Sequence, residues 1–377
     1  MLSKLLAGLL ILLVLVPSLT WLVPVTIPDV LAASGDITSQ NEFYKITEQE
    51  PGARYQVDTG GSEPLFYKGS DNVWRDRDTT LENSTDPSFF KQSIKNQFQV
   101  FFQEKFNQGN LIRYKYDQEF ESKGKAQVDI TPQKLEWMEN PPEGEEDGGN
   151  KHSIIDNPNN VTGTFSGSKA TYTGAYGTGL DMEYEVTKSK LKKTFIVQNN
   201  TALPAPPANI INGTNPSLNL EIKFQASSDL DIVIDGELWD KNTTKTTQGT
   251  KVVKNGNKEV QGGKIEFKKE GQTIFSWSTP TYKDSNPTGE FQIAKYTLKK
   301  SGNNLLVSII VPYSWLSDPT RVYPIYIDPT FEDSTARTIT STEELANIGF
   351  ETNLSSWNAY DNVVSDLSPL ARCQILF

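Results

Sequence analysis

A mainly β fold, with antiparallel β-sandwich domains in tandem between about residues 40 and 330, is what this 377-residue chain predicts, and three observations predict it. Apolar and polar side chains alternate with period two in many short runs, which places successive side chains on opposite faces of a strand. Clusters of Gly, Asn, Pro and Asp punctuate the runs, as tight turns require. Hydrophobic content of 36% with 10% aromatics is enough to bury cores and too rich for a disordered chain.

The elements follow in order. Residues 1–33 form an apolar leader: Lys4 starts it, Leu5–Val16 is an unbroken apolar run, and Ala32 and Ala33 offer small residues to a signal peptidase. Apolar character resumes through Leu19–Ile27, so the same segment is long enough to serve as a retained anchor, which needs about 20 apolar residues. Either outcome exports residues 34–377, with contact to a membrane only through residues 5–27 if the leader is retained. Residues 34–138 are expected to be a β-rich domain. Within it, Phe90, Ile94, Phe98, Phe101 and Lys105 fit one helical face, whereas Phe98, Val100 and Phe102 fit a strand; the expectation is a short helix or loop before Asn96 and a strand after it. Residues 139–160 are charged and rich in Pro, Gly and Asn, and read as a linker.

Residues 161–330 carry the clearest alternation. Leu180, Met182, Tyr184 and Val186 share a face, as do Leu218, Leu220, Ile222 and Phe224, then Leu230, Ile232 and Ile234, then Leu305, Val307, Ile309 and Val311. Asn255-Gly256-Asn257, Glu270-Gly271 and Ser301-Gly302-Asn303 read as hairpin turns or loops. Residues 199–217, with Pro204 and Pro206-Pro207, read as an extended connection between two strands of one domain. Residues 331–377 read as a further linker and the start of another module.

Composition excludes several functions. A net charge of −11 argues against nucleic-acid binding, which needs clustered Lys and Arg. With one Cys, no intrachain disulfide can form; Cys373 reads as an incidental thiol near a frayed end. His152 has no second His or Cys with which to hold zinc. No glycine-rich phosphate loop, dinucleotide fingerprint or serine-hydrolase elbow occurs, so no cofactor is expected.

Two segments resemble known families. The strand ending in Asp181 and Tyr184, with the later Ser314-Trp315-Leu316-Ser317-Asp318 and Arg321-Val-Tyr323-Pro324-Ile-Tyr-Ile-Asp328-Pro329-Thr330, resembles the extracellular β-rich region of DNRLRE-domain and RHS-type wall-associated surface proteins of bacteria and archaea. The resemblance covers about residues 40–330 and implies that Asp181, Tyr184, Trp315, Asp318, Tyr323, Pro324, Asp328 and Pro329 are structural. It implies no catalytic residue. The family's usual Lys-Glu pair is Lys192-Lys193 here, and the repeats that build toxin shells are absent. A second stretch, Ala346–Trp357, resembles the first strand of a carbohydrate-binding jelly-roll module. Too few residues follow to close two sheets, so the chain is expected to be part of a longer protein, with residues 346–377 poorly packed.

Candidate sites must be weighed against plain structural roles. Glycoside hydrolysis needs two carboxylates across a cleft, but Asp181, Glu183 and Glu185 read as the wet face of a strand. Asp229, Asp231 and Asp235 offer oxygen ligands for Ca²⁺ without the spacing of a calcium loop, and read as a solvated face. Trp74, Trp137 and Trp239 sit beside charged residues and are the candidates for stacking against sugars, whereas Trp277 and Trp315 read as core. The function expected is a secreted or cell-surface, non-enzymatic, adhesin-like structural module of a larger protein. The alternative is a polysaccharide-directed protein, either a lectin-like binder or a glycoside hydrolase. The partner class it allows is a polysaccharide or cell-wall component.

Overall fold

The computed structural model describes residues 35, 37–50, 54–59, 63–69, 71–116, 126–139, 150–207, 218–228, 230–240, 243–254, 257–301, 304–328, 330–333 and 371–376. The leader, with Ala32 and Ala33, and the jelly-roll-like stretch Ala346–Trp357 lie outside them, as do Asp229 and Pro329. Among the described residues no helix is long and apolar enough to cross a membrane.

The chain is mainly β, with antiparallel ladders. Two large sheets carry the architecture. The first runs, in spatial order, Lys245–Thr246, Lys295–Ser301, Asn304–Pro312, Leu218–Ser228, Ala126–Glu139, Ile112–Tyr116, Gln99–Phe102, Lys91–Ser93 and Glu82–Asn83, with Lys151–Ile155 also paired to Ala126–Glu139. The second runs Thr164–Ser166, Lys169–Tyr172, Leu180–Val186, Lys190–Val197, Phe331–Asp333, Gln272–Trp277, Ile265–Lys269, Asp231–Ile234 and Glu237–Leu238. Ile325–Asp328 pairs with Lys190–Val197 and with Thr281–Lys283, which in turn pairs with Gln292–Ile293.

The alternation seen in the sequence marks the buried faces. Leu180, Met182, Tyr184 and Val186 are buried, as are Leu230, Ile232 and Ile234, and Leu305, Val307, Ile309 and Val311. Rings from the two sheets meet: Phe102 lies 6.0 Å from Tyr184, Tyr114 lies 5.2 Å from Phe275, and Trp277 lies 6.0 Å from Tyr296, while Phe106, in the turn after Gln99–Phe102, lies 5.3 Å from Tyr172. Such pairs each add about 0.5–1.5 kcal/mol beyond the area they bury. These residues belong to one contiguous core. A two-sheet sandwich places side chains of both inner faces in a single dry layer, which is the arrangement here.

That core corrects two expectations. The first sheet takes strands from both sides of the 139–160 stretch, and the second, built from residues 164–333, shares one core with it, so the stretch does not divide two cores. The ends of the stretch pair directly, with Met138 opposite Lys151 and Trp137 opposite His152, and so form the arms of a hairpin. Its polar composition reflects that connection and not a separation of two cores. Likewise Lys91–Ser93 is a strand paired with Gln99–Phe102, where a helix or loop was expected, because Gln92 and Ser93 are drawn into the ladder opposite Phe101 and Val100.

The N-terminal part adds a small sheet ordered Ile37–Gln40, Tyr44–Glu50, Arg54–Thr59 and Ala371–Leu376, and a hairpin of Phe66–Lys68 with Trp74–Asp76. Cys373 is thus placed in a strand, opposite Val57, and not at a frayed end. Arg77 ties this part to the sandwich. Its buried guanidinium donates to the Phe66 carbonyl at 2.7 Å, Asn96 Oδ1 at 2.9 Å and the Lys188 carbonyl at 2.6 Å, and pairs with Glu42 at 3.2 Å.

Candidate functional site

The acidic candidates are engaged by their own fold. Asp181 is buried and accepts from the Gly174 amide and from Gln198 Nε2, each at 2.7 Å, closing the loop before its strand. Glu183 and Glu185 lie on the wet face and pair across strands with Lys169 at 3.0 Å and Lys192 at 3.3 Å. Asp235, at φ 50°, accepts from the Gln248 amide at 2.7 Å and the Gly263 amide at 2.6 Å, while Asp231 is exposed on its strand. Asp235 therefore caps loop amides. Among the described residues no group of three or more His, Cys, Asp or Glu gathers as a metal site.

The tryptophans also depart from expectation. Trp137 and Trp239 are 2% and 5% exposed, so neither offers a ring face to solvent, and the Trp239 indole donates to the Thr243 carbonyl at 2.9 Å. A charged neighbour in sequence does not set a side chain's exposure: Glu136, beside Trp137, is itself buried. Trp74 stays half-buried, with Lys68 Nζ 5.7 Å above its ring. Trp277 is core, as expected, while Trp315 is only half-buried.

Trp315 belongs to a corner that the closing motif builds between the sheets. Strand Asn304–Pro312 of the first sheet runs into a single helical turn, Tyr313–Leu316, where the Ser317 amide donates to the Tyr313 carbonyl at 2.8 Å. Asp318 then organises the turn. Its Oδ1 accepts from the Thr320 amide at 2.9 Å and the Thr320 hydroxyl at 2.7 Å, and its Oδ2 accepts from Arg321 Nη2 at 2.8 Å. These bonds hold its carboxyl well below the usual carboxylate range. Arg321 stacks on Trp315 at 4.6 Å, and the edge-to-face partner of that ring is Tyr282 at 4.7 Å. Buried Asp284 accepts from the Val322 amide at 3.2 Å and lies 3.5 Å from Arg321. After the cis Tyr323–Pro324 peptide, the chain enters the second sheet as Ile325–Asp328. Asp328 accepts from the Thr330 hydroxyl at 2.7 Å, and burial raises its carboxyl above the ordinary range.

Two concave places adjoin these elements. A broad groove of about 930 Å³ lies on the second sheet, with Glu185, Lys192, Glu259, Phe291, Tyr326 and Asp328 among its lining residues. Its acids include Glu185 and Asp328, whose bonds to Lys192 and Thr330 are given above. The other is a cleft of about 630 Å³ at the corner itself. It is walled by the proline-bearing loop from Asn200 to Pro206 on one side and by Tyr313, Asp318, Arg321 and Tyr323 on the other, with Trp137 also in its lining. The Tyr313 and Trp137 rings meet edge to face at 5.2 Å. Sequence reading missed this cleft. Its parts come from three segments nearly 190 residues apart, from Trp137 to Tyr323, and the only local signal was the density of Trp, Tyr, Asp and Arg in residues 313–323.

Comparison with known proteins gives a partial match. Over 80 residues the chain is 36% identical to the tRNA nuclease WapA of Bacillus subtilis strain 168, and equally to the tRNA3(Ser)-specific nuclease WapA of Bacillus spizizenii. The match takes 19% of this chain and 3% of each relative, so the chain corresponds to a small part of those much larger proteins. No family model matches. No solved structure matches. What is established is a mainly β chain, part of which is similar to a region of WapA.

Proposed function

We propose that this chain is an exported, non-enzymatic structural module of a large wall-associated surface protein. The observation that carries the reading is the use of the closing motif: Arg321 pairs with Asp318 and Asp284 and stacks on Trp315, Trp315 meets Tyr282, and Tyr323 donates to the Leu316 carbonyl, making a corner that carries the chain from one sheet to the other. Residues recruited to a corner serve shape. The partial similarity to WapA, of whose length the match covers 3%, supports a place within a much larger protein. The tRNA-nuclease activity in those relatives' names is not carried over, because the match covers 3% of their length.

The test is fractionation of a Gram-positive host expressing the full chain. The module should be recovered outside the membrane, in medium or wall, and be degraded when intact cells are treated with protease. Protein confined to the cytosol and protected from protease overturns export. Incubation with cell-wall polysaccharide should release no reducing ends; release that disappears in Asp328→Asn would establish the hydrolase alternative and place it in the broad groove.

A further inference from the structure

We propose that the corner cleft is a binding pocket for a neutral saccharide unit, which would make the module a binder in its own right and not only a spacer. Two observations carry this independently of the corner's structural role. The first is a pair of unused donors. Trp137 is 2% exposed and its indole Nε1 is buried without a hydrogen-bond partner, and Arg321 Nε is likewise buried and unpaired. Both residues line the same cleft. A buried donor left unpaired is unfavourable, and two such donors on residues that line one cleft favour a ligand that supplies acceptor oxygens.

The second is the make-up of the walls. Half-buried Tyr313 and Tyr323 offer aromatic surface, while exposed Asn200 and half-buried Asp318 offer acceptors beside the donors. A polyhydroxylated ring needs this mixture, since each hydroxyl both gives and accepts a hydrogen bond and the ring's C–H face packs on an aromatic. Charge then discriminates between ligand classes. The Arg321 guanidinium is already shared between Asp318 at 2.8 Å and Asp284 at 3.5 Å, so the cleft has no net positive charge with which to hold phosphate, sulfate or a carboxylate.

The experiment uses the full chain in detergent-free or mild-detergent solution, with glucose, N-acetylglucosamine and their β-1,4-linked disaccharides as probes. Saturation-transfer NMR and titration of tryptophan fluorescence read binding. At least one probe should saturate, and Tyr323→Ala and Asn200→Ala should each weaken it by about tenfold or more. Trp74→Ala, remote from the cleft, should leave it unchanged. Circular dichroism and the urea midpoint separate lost binding from lost fold. Asn200 is exposed, so its variant remains informative if Tyr323→Ala unfolds. Failure of all probes to saturate at tens of millimolar overturns the proposal. So does saturable binding that survives Asn200→Ala, or that vanishes in Trp74→Ala. None of these results touches the export reading, which stands on fractionation.

Discussion

Lys193 sits where an apolar side chain belongs. Along Lys190–Val197 the buried positions are Leu191, Lys193, Phe195 and Val197, and the Lys193 ammonium lies 5.5 Å over the Trp277 ring. Burial pushes its amine down to about 7, with the Asp328 charge opposing that fall. A lysine whose folded pKa is depressed binds fewer protons folded than unfolded, so stability should rise as pH climbs from about 7 toward the unfolded value near 10.4. Lys193→Met should abolish that slope and raise stability at pH 7 by about 1–3 kcal/mol, as replacing a buried charge by an apolar residue of similar volume does. Urea melts at pH 7, 8 and 9 check it; equal slopes in both proteins would refute the assignment. The upper limit matters, because buried Tyr172, Tyr176 and Tyr184 resist ionisation, and their forced ionisation at higher pH destabilises the fold. Sequence alone places Lys193 in the apolar register between Leu191 and Phe195. What it does not supply is Trp277, which arrives from a strand about eighty positions later.

Hairpins were the most legible elements. Glu270-Gly271 was read as a turn, and Lys269 pairs with Gln272 across it, with φ of 52° at Glu270 and 81° at Gly271. Positive φ at both central residues is the primed turn whose twist suits antiparallel strands. Gly271→Val should therefore cost about 1–2 kcal/mol through backbone strain, although a Cβ there meets nothing within 4 Å. Gly109→Ala, at a position equally open but without positive φ, should be neutral or slightly stabilising. Matched urea midpoints for the two variants would show that backbone conformation does not govern the turn. The stretch before Asn96 was less legible. Its apolar spacing suits either period, and only pairing with Gln99–Phe102 selects the strand.

For the molecule as a whole, the single core makes a thermodynamic claim. Ala126–Glu139 pairs on one side with Ile112–Tyr116 and on the other with Leu218–Ser228, so strands from before and after the 139–160 stretch are adjacent in one sheet. A protease site inserted between residues 139 and 150 should, after cutting, leave both pieces associated in size-exclusion chromatography and melting together. Residues 161–330 expressed alone should not fold, since they lack the strands from Glu82 to Ile155 that fill the middle and one flank of the first sheet. Two independent transitions, or a folded 161–330 fragment, would restore the tandem arrangement read from composition.

Alternation and turn chemistry, both short-range, determined that this chain is β, which faces of its strands are dry and where many hairpins bend. The partnership of strands far apart in the chain was decided by tertiary structure, and with it the merging of two expected domains into one sandwich, the burial of Trp137 and the cleft at the corner. The physical reason is that backbone preference and side-chain periodicity act within a few residues. Pairing in a sheet is chosen by which dry faces fit together, a property of the whole set of strands.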